Sequence, residues 1–253
     1  MSKVKAFFQK YWLTICIYVG LFLLYFYMTE KGLANSYLFP SVKNIKEAFV
    51  ENKGVMFLNM VSSFKLMIPS ILISLAIALA IGTILGMNSR LRDALHPVIY
   101  TFSVVPSILL SPFALLLSPN FWVASLFLIV YGTVWATLFA TITGIMTIDK
   151  RYLDKAETLE LHGFKKLTKV ILPAASPSIL AGFVNSLRST FVMLVYAEMY
   201  GAQYGMGFFV KKYAEFGLYD NTWCGFIFMV IVLVIVMQIF EMLKKYLLKW
   251  TMD

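Results

Sequence analysis

A chain of 253 residues with 60% hydrophobic and only 14% charged side chains lies far from the composition of a soluble domain. The net charge of +9 comes from 22 Lys and Arg dispersed among apolar runs, so it marks membrane topology rather than a nucleic-acid-binding face. Two cysteines and two histidines, none at ligand spacing, exclude a disulfide framework and a metal centre.

Six apolar runs near the length a bilayer core requires are predicted at about 11–29, 66–87, 97–117, 121–145, 176–198 and 222–243. The chain therefore reads as an all-α, polytopic integral membrane protein with six transmembrane helices, one domain over 1–253. Lys3, Lys5 and Lys10 precede the first run as they would in a signal peptide. Tyr11 to Met28 nevertheless carries no charge and no A-x-A site follows, so the run is expected to stay as an anchor. With the N-terminus inside, fourteen of the 22 Lys and Arg fall in cytoplasmic segments, which places both termini in the cytoplasm. Among the connections, 36–60 holds Pro40-Ser41, which can open a short helix with Ile45, Ala48 and Phe49 on one side. The stretch 198–221 carries Gly201, Gly205 and Gly207, then a helical turn in which Lys211 can pair with Glu215.

Inside the predicted spans, Ala78, Gly82 and Gly86 recur every four residues, the spacing that lets membrane helices approach closely. Hydroxyls form two stripes at the same spacing, Ser103, Ser107 and Ser111 on the third span and Thr133, Thr137 and Thr141 on the fourth. Each stripe either bonds carbonyls one turn back or lines a watery pathway. Pro106 and Pro112 bend the third span and free carbonyls there. Arg188 stands at mid-span with Asn185 and Ser189 on the same face, and no Asp or Glu lies at that depth. A charge there must face water, carbonyls, another subunit or an anionic ligand, because burying it unpaired costs several kcal/mol.

Between the fourth and fifth spans, 149–173 forms a charged amphipathic island. Lys155, Lys165, Lys166 and Lys169 put it in the cytoplasm, while Leu159, Leu167, Val170 and Ile171 give it apolar faces at helical spacing. That is the pattern of a docking element. The stretch DKAETLELHGFKKLTKVILP resembles the EAA loop of binding-protein-dependent ABC importer permeases, whose pattern runs E-A-A-x-T-L-G and ends in V-x-L-P. Aligned without gaps from Leu172-Pro173, Asp154 falls on the family's Glu, Ala156 on its second Ala, and Thr158-Leu159 on its Thr-Leu. Lys155 replaces the first Ala and Glu160 stands at the family's Gly, so Gly163 is expected to supply the turn instead. LFPS at 38–41, Ser63-Phe64-Lys65, Ala197-Glu198-Met199, Gly205-Met206-Gly207, Pro97 and Trp250 extend the likeness to the nitrate/sulfonate/taurine branch over nearly the whole chain.

The resemblance implies a bacterial inner-membrane permease that pairs with a second copy or a close homologue. It further implies two cytoplasmic ATPases gripping the loops through Asp154, Ala156, Thr158, Leu159, Gly163, Leu172 and Pro173, and an extracytoplasmic substrate-binding protein delivering a small solute. ATP and Mg would be used by the partner: this chain has no P-loop, and no catalytic group or cofactor site is expected in it. The expected pathway residues are Ser103, Ser107, Ser111, Thr133, Thr137, Thr141, Asn185, Arg188 and Ser189. The competing reading, an ion-coupled secondary transporter, would require an internal repeat and intramembrane carboxylates. The sequence shows neither.

Overall fold

The computed structural model describes residues 3–249, with side chains from Tyr11 onward. Trp250 lies outside the described residues. Ten α-helices follow in chain order: α1 Lys3–Glu30, α2 Val42–Met87, α3 Ser89–Val104, α4 Ser111–Leu117, α5 Phe121–Met146, α6 Lys150–Thr158, α7 Gly163–Lys166, α8 Leu172–Gly201, α9 Met206–Glu215 and α10 Tyr219–Leu247. A 3₁₀ turn, Ser107–Leu110, leads into α4, and a π-helical stretch, Leu167–Ile171, leads into α8. No strand occurs among the described residues. Among the described residues, five helical segments are long and apolar enough to cross a membrane, and a sixth is reached if the bent pair α3–α4 counts as one span.

Three boundaries differ from the sequence reading. The short helix expected after Pro40-Ser41 does not end before the second span. It continues through it as the 46-residue α2, whose first turn is capped by Ser41 Oγ accepting from Asn44 N at 3.2 Å. At 1.5 Å per residue α2 is ~70 Å long, more than twice a bilayer core. Only Gly54 interrupts the helix-compatible residues between 42 and 65, and a lone Gly weakens a helix without ending it. The third span is not one helix: α3 and the segment 107–117 meet at 82°. Pro106 has no N–H for the ladder and holds Val105 extended at φ −70, ψ 116, which ends α3. Pro112, in the first turn of α4, costs nothing there because that N–H has no helical partner. The fifth span starts earlier than expected, since the helix runs with little interruption from Gly163 to Gly201.

The chain divides into two compact units. The first holds Met1–Phe57 and Phe209–Phe228. Its core is Ala48, Met56, Phe209 and Cys224, with Ile45, Tyr213 and Phe228 packed around them. Ile45 and Ala48 thus face inward as their spacing predicted, whereas Phe49 is half exposed against Phe228. Asn52 staples this unit: Nδ2 donates to Asn221 Oδ1 at 2.7 Å, and Oδ1 accepts from Tyr213 Oη at 3.1 Å. Lys211 pairs with Glu215 at 3.5 Å.

The second unit, Leu58–Phe208 with Met229–Asp253, is organised around α5 against α8. Glycines set the closeness. A Cβ on Gly182 would collide with Ala140 Cβ, and one on Gly144 would sit 2.8 Å from Ser178 Cβ. The Ala78/Gly82/Gly86 stripe of α2 serves the same purpose against α5: Gly82 faces Thr141, Gly86 faces Ile145, and Ala78 is fully buried beside Leu138 and Ile142. Lipid supplies no hydrophobic drive between helices, so this van der Waals contact is what holds them.

Candidate functional site

Two places in the second unit gather the predicted residues. The first is the loop that precedes α8. Asp149 caps α6: its carboxylate accepts from Arg151 N at 2.9 Å and is forked by the Arg151 guanidinium at 2.6 and 3.0 Å. That partner holds the Asp149 carboxyl down at about 2, although both groups are exposed. Ala156 is buried on the inner side of α6, while Asp154, Thr158, Leu159, Gly163 and Pro173 are exposed. Leu159 is 60% and Phe164 76% exposed, a large apolar area to leave on a short loop. Ala156, Leu159 and Pro173 share a cavity of about 270 Å³ with Tyr152, Leu161 and Val170. Leu172 turns the other way and packs half-buried on the Ile145, Ile171, Ala175 and Ile179 cluster.

The end of α6 answers the question raised by Glu160. Leu161 N donates to Ala156 O at 2.9 Å and Glu160 N to Glu157 O at 2.9 Å, the two bonds of a Schellman motif. The residue at the left-handed position is Glu160 itself, with φ 52. The turn therefore stays where the family has its Gly, borne by a side chain that dislikes it. Gly163, also at φ 52, opens α7 instead of replacing that turn.

The second place is a cavity of about 370 Å³ where the α3–α4 break meets α5 and α8. It is lined by Ser103, Ser107, Arg188, Ser189 and Trp135, with Val105, Pro106, Ile108, Val192 and Met193 as apolar wall. Gly132 makes room for it, since a Cβ there would lie 2.8 Å from both Ser107 Oγ and Met193 Cγ. Arg188 is exposed and has no hydrogen-bond or ion-pair partner among the described residues, and Asn185 is exposed one turn earlier on α8. Ser103 Oγ donates to Tyr100 O at 2.8 Å, and Ser107 Oγ donates to Met193 Sδ at 2.9 Å.

The threonine stripe is not brought to this cavity. Thr133, Thr137 and Thr141 are buried: Thr133 bonds Thr190 at 2.9 Å and Thr137 donates to Ser186 at 3.2 Å, both across to α8, whereas Thr141 faces Gly82 of α2 and donates one turn back to Thr137 O at 2.7 Å. Two of the three hydroxyls therefore make interhelical hydrogen bonds, and the third satisfies a carbonyl of its own helix. Ser111 likewise bonds Tyr196 across to α8 at 3.2 Å.

Sequence reasoning missed a third cluster. After α8, three consecutive backbone N–H groups are each held by a side chain: Gly205 by Asn59 Oδ1 at 2.8 Å, Met206 by Ser63 Oγ at 2.9 Å, and Gly207 by Glu198 Oε2 at 2.8 Å. Asn59, Ser63 and Glu198 are all buried, and Ser63 also bonds the Glu198 side chain. Gly205 adopts φ +130 with Glu198 Cδ where a Cβ would go, so no other residue fits. The signal was present as three separate short stretches, Ser63-Phe64-Lys65, Ala197-Glu198-Met199 and Gly205-Met206-Gly207, without any sign that they meet.

Comparison with known proteins agrees with this architecture. Residues 74–252 match the family described as binding-protein-dependent transport system inner membrane component. A protein of Bacillus subtilis (strain 168), named as an aliphatic sulfonates transport permease, SsuC, is 29% identical over 71% of this chain and 65% of its own length. The nitrate import permease protein NrtB of Leptolyngbya laminosa is 28% identical over 52% of this chain and 47% of its own. The bicarbonate transport system permease protein CmpB of Synechococcus elongatus is 29% identical over 54% and 50%. The matches thus span less than two thirds of these relatives. Among solved structures, a chain of the methionine ABC transporter MetNI in an inward-facing conformation superposes with a TM-score of 0.64 at 14% identity, covering 77% of this chain and 97% of that one. The helices, their breaks and the matched residues lead to one conclusion: this chain belongs to the binding-protein-dependent transport system inner membrane component family.

Proposed function

We propose that the chain, as a single permease domain, is the membrane subunit of an ATP-driven importer for a small anionic solute. Two copies, or one copy and a close homologue, enclose the pathway. Cytoplasmic ATPases bind and hydrolyse ATP, and an extracytoplasmic binding protein delivers the solute. The observation that carries this reading is the loop before α8, where Leu159 and Phe164 stand exposed on a capped, hydrogen-bonded scaffold in a chain of this family. Apolar side chains presented on ordered backbone suit a socket on a folded partner. The anionic solute class is supported by Arg188, which has no ion-pair partner among the described residues, and by relatives named for sulfonates, nitrate and bicarbonate. Alternating access follows if closure of the ATPases moves these loops and, through α8, the helices around the cavity.

Leu159→Asp places a charge in the proposed socket at a cost of a few kcal/mol, ~2–5, enough to release the ATPase. The expected result is loss of ATPase co-purification and of uptake while the permease still inserts. Unchanged co-purification and uptake would remove the loop from the coupling role. Orientation is tested in a cysteine-free background with Lys165→Cys, expected to label only from the cytoplasm, and Tyr204→Cys, expected to label only from outside. Position 205 is unsuitable because any side chain there strikes Glu198.

A further inference from the structure

The cavity at the α3–α4 break has a chemical bias that neither the fold nor the family requires. Its polar lining centres on one guanidinium. Arg188 offers five N–H groups and has no acceptor among the described residues, and no Asp or Glu lines the cavity to neutralise it. Ser107 has bonded its proton to the thioether of Met193, a weak acceptor readily exchanged for an anion's oxygen. Trp135 contributes its ring to the wall, while its indole N–H is buried away from accessible space and has no hydrogen-bond partner among the described residues. Arg188 and Ser189 are neighbours on α8 and line the same cavity, so one ligand with several acceptor oxygens can serve both.

Resting on the permease reading, we infer that this chain carries its own selective site for a small, singly charged oxyanion, formed by Arg188, Ser107 and Ser189 beside the Trp135 ring. Arg188 supplies both the charge and the directional N–H donors. The serines complete the shell, and the wall of Val105, Pro106, Ile108 and Val192 accepts a short alkyl substituent. A cavity of about 370 Å³ holds such an ion with some water and falls at the small end of ligand pockets. A cation is disfavoured by Arg188 with no counter-charge, and a neutral solute would leave that charge unpaired. The permease then selects the anion a second time after the delivering protein, by charge and by acceptor geometry.

The test uses the full chain, with its ATPase partner, in nanodiscs of zwitterionic lipid, titrated with methanesulfonate and, separately, with methylammonium. Methanesulfonate is expected to bind, and methylammonium is not. Arg188→Gln should weaken methanesulfonate binding by about 10- to 100-fold, since hydrogen bonds to charged groups are the strong ones. Ser189→Ala, which removes the hydroxyl next to the guanidinium, should weaken it by about 3- to 10-fold. A parallel series with phosphatidylglycerol distinguishes a lipid headgroup as the occupant. If methanesulfonate binds only weakly in zwitterionic discs and phosphatidylglycerol associates through Arg188, the solute site is overturned. Equal affinity in wild type, Arg188→Gln and Ser189→Ala also overturns it. In either case retained ATPase association leaves the permease reading standing, whereas loss of that association in the wild-type chain sinks the reading itself.

Discussion

The loops on either side of α8 solve the same problem in opposite ways. The loop after it is closed on itself. Its three successive N–H groups end on Asn59, Ser63 and Glu198, and all three side chains are buried. The loop before it satisfies its backbone locally, through the Asp149 cap and the Schellman turn at Glu160, and leaves Leu159 and Phe164 exposed. A loop whose polar groups are matched by its own protein has little left for a partner. One that settles its backbone but displays apolar side chains is incomplete until something covers them. On the proposed reading, the end of α8 with the buried clamp is the structural one and the end with exposed Leu159 and Phe164 is the one a partner would cover.

The largest effect is expected at the closed loop. Glu198→Ala removes the acceptor of Gly207 N and opens space against Gly205, at a cost of about 2–4 kcal/mol. Glu198→Gln keeps an acceptor oxygen and should lose about half of that or less. Thermal unfolding in detergent checks both. If the two variants are equally destabilised, the charge and not the hydrogen bond matters. If neither is, the loop is not held by this clamp. The open loop should respond far less, because Leu159→Asp leaves the permease itself folded.

A smaller and opposite change is expected at Glu160. Its φ of 52 suits glycine, and Glu160→Gly relieves a left-handed strain of about 1 kcal/mol without removing any contact the turn requires. The measurable sign is slower amide exchange at Leu161, whose N–H closes the turn onto Ala156 O. Faster exchange would mean that Glu160 adds an interaction outweighing the strain. Stabilising this turn while leaving Leu159 exposed would show that the loop's order and its openness to a partner are separate properties.

Much of this was legible from residue spacing. Apolar run lengths gave the helices from 121 and 219 onward to within a few residues, and the Ala78/Gly82/Gly86 stripe packs on α5 as small residues at that spacing should. The bend at Pro106 was readable because proline restricts its own φ and its predecessor's backbone. The joining of the helix after Pro40-Ser41 to the second span was not, since no local signal between 42 and 65 decides whether a helix stops. Periodicity put Ser107 and Thr133 in equivalent stripes, yet one lines a cavity and the other bonds Thr190, because a stripe defines a face and only packing tells what the face meets. The Asn59–Ser63–Glu198 clamp and the unpaired indole of Trp135 depend on residues far apart in the chain, which spacing within one helix cannot reveal.

The smallest effect sharpens the comparison by pH. The clamp after α8 contains no exposed ion pair, whereas the cap of the loop before it depends on the Asp149 carboxylate, exposed beside Arg151. The Arg151 guanidinium lowers the Asp149 carboxyl from an ordinary 3.8 to about 2. A depressed carboxyl stabilises the folded loop above its unfolded value and loses that contribution as pH falls through the folded one. The start of α6 should therefore be insensitive to pH from neutrality down to about 4 and loosen between there and about 2. Solvent screening keeps the change small at an exposed pair, so it is read locally, from the exchange of the Arg151 amide, and not from global unfolding. Asp149→Asn keeps an oxygen to cap Arg151 N but cannot titrate, and its exchange profile should be flat over the same range apart from the intrinsic pH dependence of exchange. If wild type and Asp149→Asn track each other below pH 4, the cap is held by geometry alone and the guanidinium contributes nothing to it.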